Sequence, residues 1–382
     1  MKHLDTSRPA VRPLLDKADD LADVEEAMRA LASGERPERI GAIAGEHLDT
    51  GGKRVRARLA LAAAAALGVG RETATPWAAA VELLHNATLV HDDLQDGDRV
   101  RRGRPTTWAA HGMAQAINCG DLMLMLPALA VDAVDVSDGT RFRLVRALHA
   151  RAVATVRGQA ADLALKDDVD AGLDPVECYL RCIEGKTGEL FALPVEGAAL
   201  LAGRAVDVAR SLAEPFFVLG MLFQLQDDVL DLFGDKGRQA RGADIKEGKI
   251  SALVVEHLRL HPHERTWLRA ILDAPRESTD DACVAAVIDR FEQGGALDAV
   301  LQRIVTLASH ALNAPALQHE PNLQRLVVEV TGMVLAPIQS CFAQRRVPLA
   351  DEVTAPLRAL SAPGTAFAFT VSPVVHAASA AE

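Results

Sequence analysis

His91-Asp92-Asp93-Leu94-Gln95-Asp96-Gly97-Asp98-Arg99-Val100-Arg101-Arg102-Gly103-Arg104-Pro105-Thr106 is the stretch on which the fold turns. It follows a long apolar-periodic segment, Trp77 to Val90, whose spacing predicts a helix that carries on into the acids. On helical backbone Asp92 and Asp96 share one face, and Asp93 is turned about 100° away. Carboxylates so placed repel and raise one another's pKa unless a cation lies between them. A few hard oxygen ligands, leaving room for water and phosphate oxygens, suit Mg²⁺. Arg99, Arg101, Arg102 and Arg104 follow directly, and guanidinium groups grip phosphate oxygens in bidentate fashion. Acids that suit a metal beside bases that suit phosphate point to a diphosphate.

Working outward, Phe223-Gln224-Leu225-Gln226-Asp227-Asp228-Val229-Leu230-Asp231 repeats the acids at i, i+1 and i+4, again closing an apolar run, from Pro215. A single such triplet reads as a solvated helix face, the default state of aspartate. Two copies, each ending an apolar segment, reverse that reading. They predict two facing helices with metal ions in the cleft between them.

The rest of the 382-residue chain fits a helical scaffold. Hydrophobic residues make up 49% and aromatics only 4%, with alanine and leucine abundant, and no period-2 strand run stands out. Helical patterns succeed one another to Cys341, and residues 1–345 are expected to form one helical domain. From Arg346 onward, prolines and small residues predict a poorly ordered tail, 346–382. The net charge of -11 argues against nucleic acid as a partner. The amino terminus lacks the apolar core of a secretory signal, and runs such as Leu122 to Val131 fall short of a membrane span. A cytoplasmic protein without an integral membrane segment is therefore expected. Five cysteines, odd in number and without a CxxC pair, read as reduced thiols.

Three further stretches place bases and small residues. Gly51-Gly52-Lys53-Arg54-Val55-Arg56 sets glycines before a helix start, where free N–H groups favour an anion, with Lys53 and Arg56 one turn apart. Alone, this would be a turn with exposed bases. Gly185-Lys186-Thr187-Gly188 lies within an apolar region, where the plain alternative is a helix kink. Gly242-Ala243-Asp244-Ile245-Lys246-Glu247-Gly248-Lys249-Ile250-Ser251 follows the second acid motif and alone reads as a solvated loop.

In this order and spacing, the motifs resemble those of the trans (E) polyprenyl diphosphate synthases, over about residues 15 to 340. The resemblance implies an all-α fold, an isoprenoid synthase-type helical bundle around a central cavity, and a homodimer. It implies condensation of isopentenyl diphosphate with allylic diphosphates (dimethylallyl, geranyl, farnesyl), assisted by Mg²⁺, three ions with substrate bound. Carried over by position, Asp92, Asp96 and Asp227 would ligate metal, with Asp93, Asp228 and Asp231 completing the acid shells. Arg101 and Lys186 would hold the allylic diphosphate. Lys53, Arg56, His85 and Arg102 would hold isopentenyl diphosphate, and Lys249 is a further substrate-binding candidate. The Thr187 hydroxyl and Gln224 amide oxygen would stabilise the allylic cation. Without the resemblance, His85 would read as an ordinary helix-face histidine.

Some positions depart from that pattern. Ala57 stands where a proline is usual, and Gln239 where a lysine is common, with Lys236, Arg238 or Arg241 as substitutes. In the family, a bulky aromatic at the fifth or fourth position before the first acid limits the product to 15 carbons. Here those positions are Ala87 and Thr88, with Leu84 one turn deeper and Met123, Leu124 and Met125 as neighbours. The expected product is geranylgeranyl diphosphate (C20), with farnesyl or longer chains as the alternative. A terpene cyclase is less expected, because a second Asp-rich motif replaces the cyclase metal motif and the chain holds only 10 Phe, 3 Trp and 1 Tyr. A non-catalytic subunit is disfavoured because all six acids are present.

Overall fold

The computed structural model describes residues 14–17, 20–34, 36, 38–234 and 241–360. Its elements begin with α1 (Leu14–Lys17), α2 (Ala22–Ser33), α3 (Arg39–Leu48) and α4 (Val55–Ala66), the Gly51-Gly52 break lying between the last two. Helix α5 (Arg71–Gln95) ends at the first acid motif, as its apolar spacing predicts. A two-stranded hairpin follows, β1 (Val100–Arg101) and β2 (Arg104–Pro105). Its central residues, Arg102 and Gly103, take φ of 52° and 76°, the pair of positive values that a tight two-residue turn demands.

Next come α6 (Thr107–His111), α7 (Met113–Asp132), α8 (Asp138–Asp170) and α9 (Pro175–Ile183). Asp174 caps α9 by accepting the Glu177 N–H, and Pro175 occupies the first turn, where its missing donor costs nothing. Gly185-Lys186-Thr187-Gly188 lies in a π-helical turn, Glu184–Gly188, between α9 and α10 (Glu189–Leu201). The expected kink is thus a bulge, a device found often at functional sites. The body continues with α11 (Val206–Phe233), α12 (Ala243–Lys246), α13 (Ala252–Leu260), α14 (Arg265–Leu272), α15 (Asp281–Gln293), α16 (Ala296–Leu312), α17 (Pro321–Leu335) and α18 (Gln339–Arg345).

Helices α4, α5, α10 and α11 pack on one another at the centre. Every residue of α10 from Leu190 to Leu200 is buried, the mark of a helix enclosed on all sides. Close approach is set by absent side chains at two crossings. A Cβ on Gly197 would lie 2.0 Å from the Trp77 ring, whose indole N–H donates to the Pro194 carbonyl at 3.1 Å. A Cβ on Gly158 of α8 would lie 2.4 Å from the Lys186 nitrogen, so α8 rides directly against the π turn.

One expectation needs correction. Residues 351–360, expected within a poorly ordered tail, form helix α19 (Asp351–Leu360), which buries Val353 and Leu357 against α16 and α17. Their i, i+4 spacing makes an apolar stripe that the flanking prolines hid. The remainder of that tail, 361–382, lies outside the described residues. Met113–Asp132 and Pro321–Arg345 are long and apolar enough to cross a bilayer by length and composition alone. Both pack in the bundle, with 44% and 61% of their apolar windows buried, so among the described residues there is no strong membrane span, in keeping with the sequence reading.

Candidate active site

The end of α5, the π turn, the middle of α8 and the last third of α11 enclose a cavity of about 320 Å³. Asp92, Gln95, Lys186, Thr187 and Gln224 supply much of its polar wall, and Arg56 and His85 also line it. Thr88, Leu89, Leu124, Val156, Leu163, Leu190 and Phe223 supply the apolar part, where a hydrocarbon would lie. The two motif helices therefore reach one cavity, Asp92 from α5 and Gln224, one turn before Asp227, from α11.

The acids fall into two groups. Asp92 opens to the cavity, with the Lys186 ammonium 3.9 Å away. Burial, with the charge of Asp96 adding to it and Lys186 opposing it, pushes the Asp92 carboxyl up to about 6. Asp96 faces the Lys249 ammonium at 3.4 Å, and Asp227 is exposed. Asp93, Asp228 and Asp231, the acids expected to complete the shells, are buried, each with at least one protein donor, while Asp93 Oδ2 has no hydrogen-bond partner. Asp93 accepts from Arg101 Nε at 2.7 Å, on the side of α5 turned away from the cavity. Asp228 accepts from the Tyr179 hydroxyl at 2.7 Å, Gln224 Nε2 at 3.0 Å and the Ala252 N–H at 2.7 Å, tying α9 and α13 to α11. Asp231 accepts the Asp244 N–H at 3.1 Å and so anchors the segment that carries Lys249.

Mg²⁺ fits the open acids. Burial is the main reason the Asp92 carboxyl is raised, and the nearby Lys186 and Arg101 offset only part of it, so a cation beside Asp92 would favour its charged form. Among the described residues no three His, Cys, Asp or Glu side chains converge to cage an ion unaided. An ion held there would take its other ligands from water and diphosphate, as Mg²⁺ does.

The basic residues gather in two places. Lys186 donates to Asp162 at 2.9 Å, and Thr187 Oγ1 donates to Gln224 Oε1 at 3.1 Å. Because Gln224 Nε2 is engaged by Asp228, its amide oxygen is held toward the π turn. Arg56 and His85 form the second place, with Arg56 N–H 3.1 Å from His85 Nε2. Burial, then the nearby Arg56, Arg102, Arg101 and Arg54, hold His85 well below the usual imidazole range, so it is neutral. Arg56 Nε and His85 Nδ1 are buried donors without a hydrogen-bond partner, and both residues line the cavity. Arg102 reaches the Gly51 carbonyl across the Gly51-Gly52 turn, and Lys53 stands exposed on that loop. Lys236, Arg238 and Gln239 lie outside the described residues.

Several functional neighbours carried no sequence signal. Asp162 is one acid among several on α8. Arg54, hidden in the basic motif, is a buried strut, bonding Glu25 at 2.7 Å, the Leu48 carbonyl at 2.7 Å and Asn86 at 3.2 Å. The single tyrosine, Tyr179, could have been singled out in so aromatic-poor a chain. At Ala57 the N–H that a proline would lack donates to buried Glu82 at 3.1 Å. The chain-length positions divide: Thr88 and Leu124 line the cavity, whereas Ala87, Leu84 and Met123 are buried away from it and Met125 is exposed.

Comparison with known proteins agrees with this geometry. The polyprenyl synthetase family pattern matches residues 37–290. A short chain isoprenyl diphosphate synthase of Methanothermobacter thermautotrophicus is 34% identical over 75% of this chain and 86% of its own length. A geranylgeranyl diphosphate synthase of Mycobacterium tuberculosis is 34% identical over 76% and 86%. Among solved structures, a geranylgeranyl pyrophosphate synthetase from Pyrococcus horikoshii superposes with a TM-score of 0.72 at 26% identity, covering 83% of this chain and 98% of that one. A polyprenyl synthase from Caulobacter crescentus, complexed with calcium and isoprenyl diphosphate, gives 0.70 at 29% identity, covering 85% and 96%. The chain belongs to the polyprenyl synthetase family and is a prenyltransferase of the isoprenyl diphosphate synthase kind.

Proposed function

We propose that this enzyme condenses isopentenyl diphosphate with allylic diphosphates and releases mainly geranylgeranyl diphosphate. The observation that carries the reading is the cavity itself. Open acids and Lys186 stand beside a fixed pair of oxygen dipoles, and an apolar tunnel runs on beyond them.

Asp92, Asp96 and Asp227 would hold Mg²⁺, which when bound neutralises the leaving diphosphate as a Lewis acid. Lys186 sits between Asp92 and Asp162 and is placed to donate to the same phosphate oxygens. The Thr187 and Gln224 oxygens offer partial negative charge to the allylic cation without bonding to it. The orphaned donors of Arg56 and His85, with Arg102 and Lys53 beside them, hold isopentenyl diphosphate so that its double bond attacks that cation. The proton then lost passes to the departed diphosphate. His85, ringed by guanidinium groups, is a poor base.

The C20 product is supported by the small Thr88 on the wall and by relatives named for geranylgeranyl synthesis. A homodimer is supported by apolar side chains exposed along α7 and α8. A cytoplasmic setting is supported by five unpaired cysteines. Incubation with isopentenyl diphosphate, each allylic diphosphate and Mg²⁺ tests the reading. Linear C20 prenyl diphosphate is expected; cyclic hydrocarbon or no turnover would refute it.

A further inference from the structure

A second cavity, of about 300 Å³, lies behind the first acid motif. Helix α3, the last turn of α5, the β1–β2 hairpin and α6 enclose it, and it shares no lining residue with the catalytic cavity. Asp92 lines the one, and Asp93, about 100° further around α5, lines the other. None of Lys53, Arg56, His85 and Arg102 borders the second cavity, so it is not the place given to isopentenyl diphosphate. Two of its buried polar atoms are unmet. Arg101 places Nε at 2.7 Å and a terminal nitrogen at 2.6 Å from the same oxygen of Asp93, Oδ1, and Oδ2 has no partner. His47, only 5% exposed, has no partner at Nε2. The Asn86 amide nitrogen is turned to Glu82, so its oxygen accepts from the other nitrogen of His47 and Nε2 is left as an acceptor. Buried acceptors without a donor are rare and require an account. The exposed acids of the same lining are already paired, Glu46 with His111 at 2.7 Å and Asp49 with Arg29 at 3.1 Å.

We infer that this cavity binds a small amine that also carries an oxyanion, an α-amino acid or an aminoalkyl phosphate, and that its occupant strengthens the hold on the allylic diphosphate. The amine end follows from the two unmet acceptors. One is a carboxylate oxygen, and a protonated amine has three N–H groups with which to serve both. A divalent cation fits less well, because among the described residues no three His, Cys, Asp or Glu side chains converge on one point. The oxyanion end follows from Arg104, an exposed lining residue with no acid paired to it among the described residues. Ile43 and Pro105 supply apolar wall for a short alkyl stem. Arg101 links the two cavities. It is the guanidinium that the motifs assign to the allylic diphosphate, and Asp93 holds it. An ammonium on Asp93 Oδ2 neutralises part of that carboxylate and loosens its grip, which frees Arg101 for the diphosphate. This coupling rests on the synthase reading above, whereas binding in the cavity does not. Because linkage is reciprocal, a bound allylic diphosphate must tighten the amine by the same factor.

The test is isothermal titration of the full-length enzyme with the L-amino acids and with phosphoethanolamine, one at a time. At least one should bind with a Kd in the millimolar range or below, and its N-trimethylated counterpart, which has no N–H, should not. Ala110→Trp, at an exposed lining position, should weaken that binding by about tenfold or more. Arg104→Ala, likewise exposed, should weaken it too, so the result does not hang on one variant folding. Farnesyl diphosphate with Mg²⁺, and without isopentenyl diphosphate so that nothing condenses, should tighten it by about fivefold or more. No binding by any of these probes, equal binding by the trimethylated form, or binding unchanged in both variants overturns the inference. Equal affinity with and without bound farnesyl diphosphate refutes the coupling and leaves a ligand site. Farnesyl diphosphate that does not itself bind refutes the synthase reading, and the coupling with it, but not the site.

Discussion

Thr88→Phe probes the reading of the cavity most directly. Thr88 lies on α5 four residues before Asp92, about 6 Å back along the helix axis, and its side chain forms part of the cavity wall. An allylic chain anchored by its diphosphate at the Asp92 end must pass Thr88 within its first one or two isoprene units. A phenyl ring there faces Leu124 of α7 across a cavity of only about 320 Å³. Forcing a prenyl chain past such an obstruction costs about 1–3 kcal/mol of packing strain, equivalent to roughly 10–200-fold in the rate of each later elongation. The first condensation, on the diphosphate side of the ring, should be nearly unaffected. Product analysis by radiolabelled isopentenyl diphosphate incorporation should show C20 replaced by C10 and C15 at similar total turnover. An unchanged distribution in a folded variant would show that α5 does not wall the growing chain. Ala87→Phe is the contrasting control. Because Ala87 is fully buried and off the cavity, the ring there should lower the melting temperature by overpacking.

Asp92→Ala or Asp227→Ala should cut kcat by orders of magnitude without lowering thermal stability, because like charges are removed rather than created; near-normal turnover at saturating Mg²⁺ would take that acid out of the site. Arg56→Met should raise KM for isopentenyl diphosphate more than for the allylic substrate, since only the former meets its orphaned donor, and equal rises would merge the two sites. His47, buried beside Arg101, Arg54 and Arg102, is held down to about 4 from 6.5, chiefly by burial. Its folded pKa is below the unfolded one, so stability is full above pH 6.5 and is lost as pH falls toward 4, by an order of 2–4 kcal/mol. His47→Gln should flatten that loss in urea titrations, and an unaltered acid limb would place the proton uptake elsewhere.

How much of this was legible in the sequence depended on whether a signal runs along the chain or across it. Both acid motifs and the Gly185-Lys186-Thr187-Gly188 bulge are local patterns, and they reach one cavity through Asp92, Gln224, Lys186 and Thr187. What a helix does with its other faces is decided by its neighbours. Asp93, one residue beyond Asp92, is rotated by about 100°, as its spacing implies, and that rotation brings it to Arg101, a partner eight residues on that helix periodicity alone does not select. The same rotation separates Thr88, on the cavity wall, from Ala87, in the core.

Asp228 shows the stronger form of the problem. Its three partners come from α9, from α11 and from the start of α13, so nothing near it in the sequence announces that it is a brace. Yet this brace bears directly on the chemistry. Asp228 holds Gln224 Nε2, which leaves Gln224 Oε1 to meet Thr187, and both residues line the cavity. A buried acid thus fixes the orientation of two oxygen dipoles in the cavity wall, while its neighbour Asp227, turned about 100° around the helix, is exposed. Adjacent carboxylates on one helix therefore meet different surroundings, one braced by three donors from three helices and one turned toward solvent.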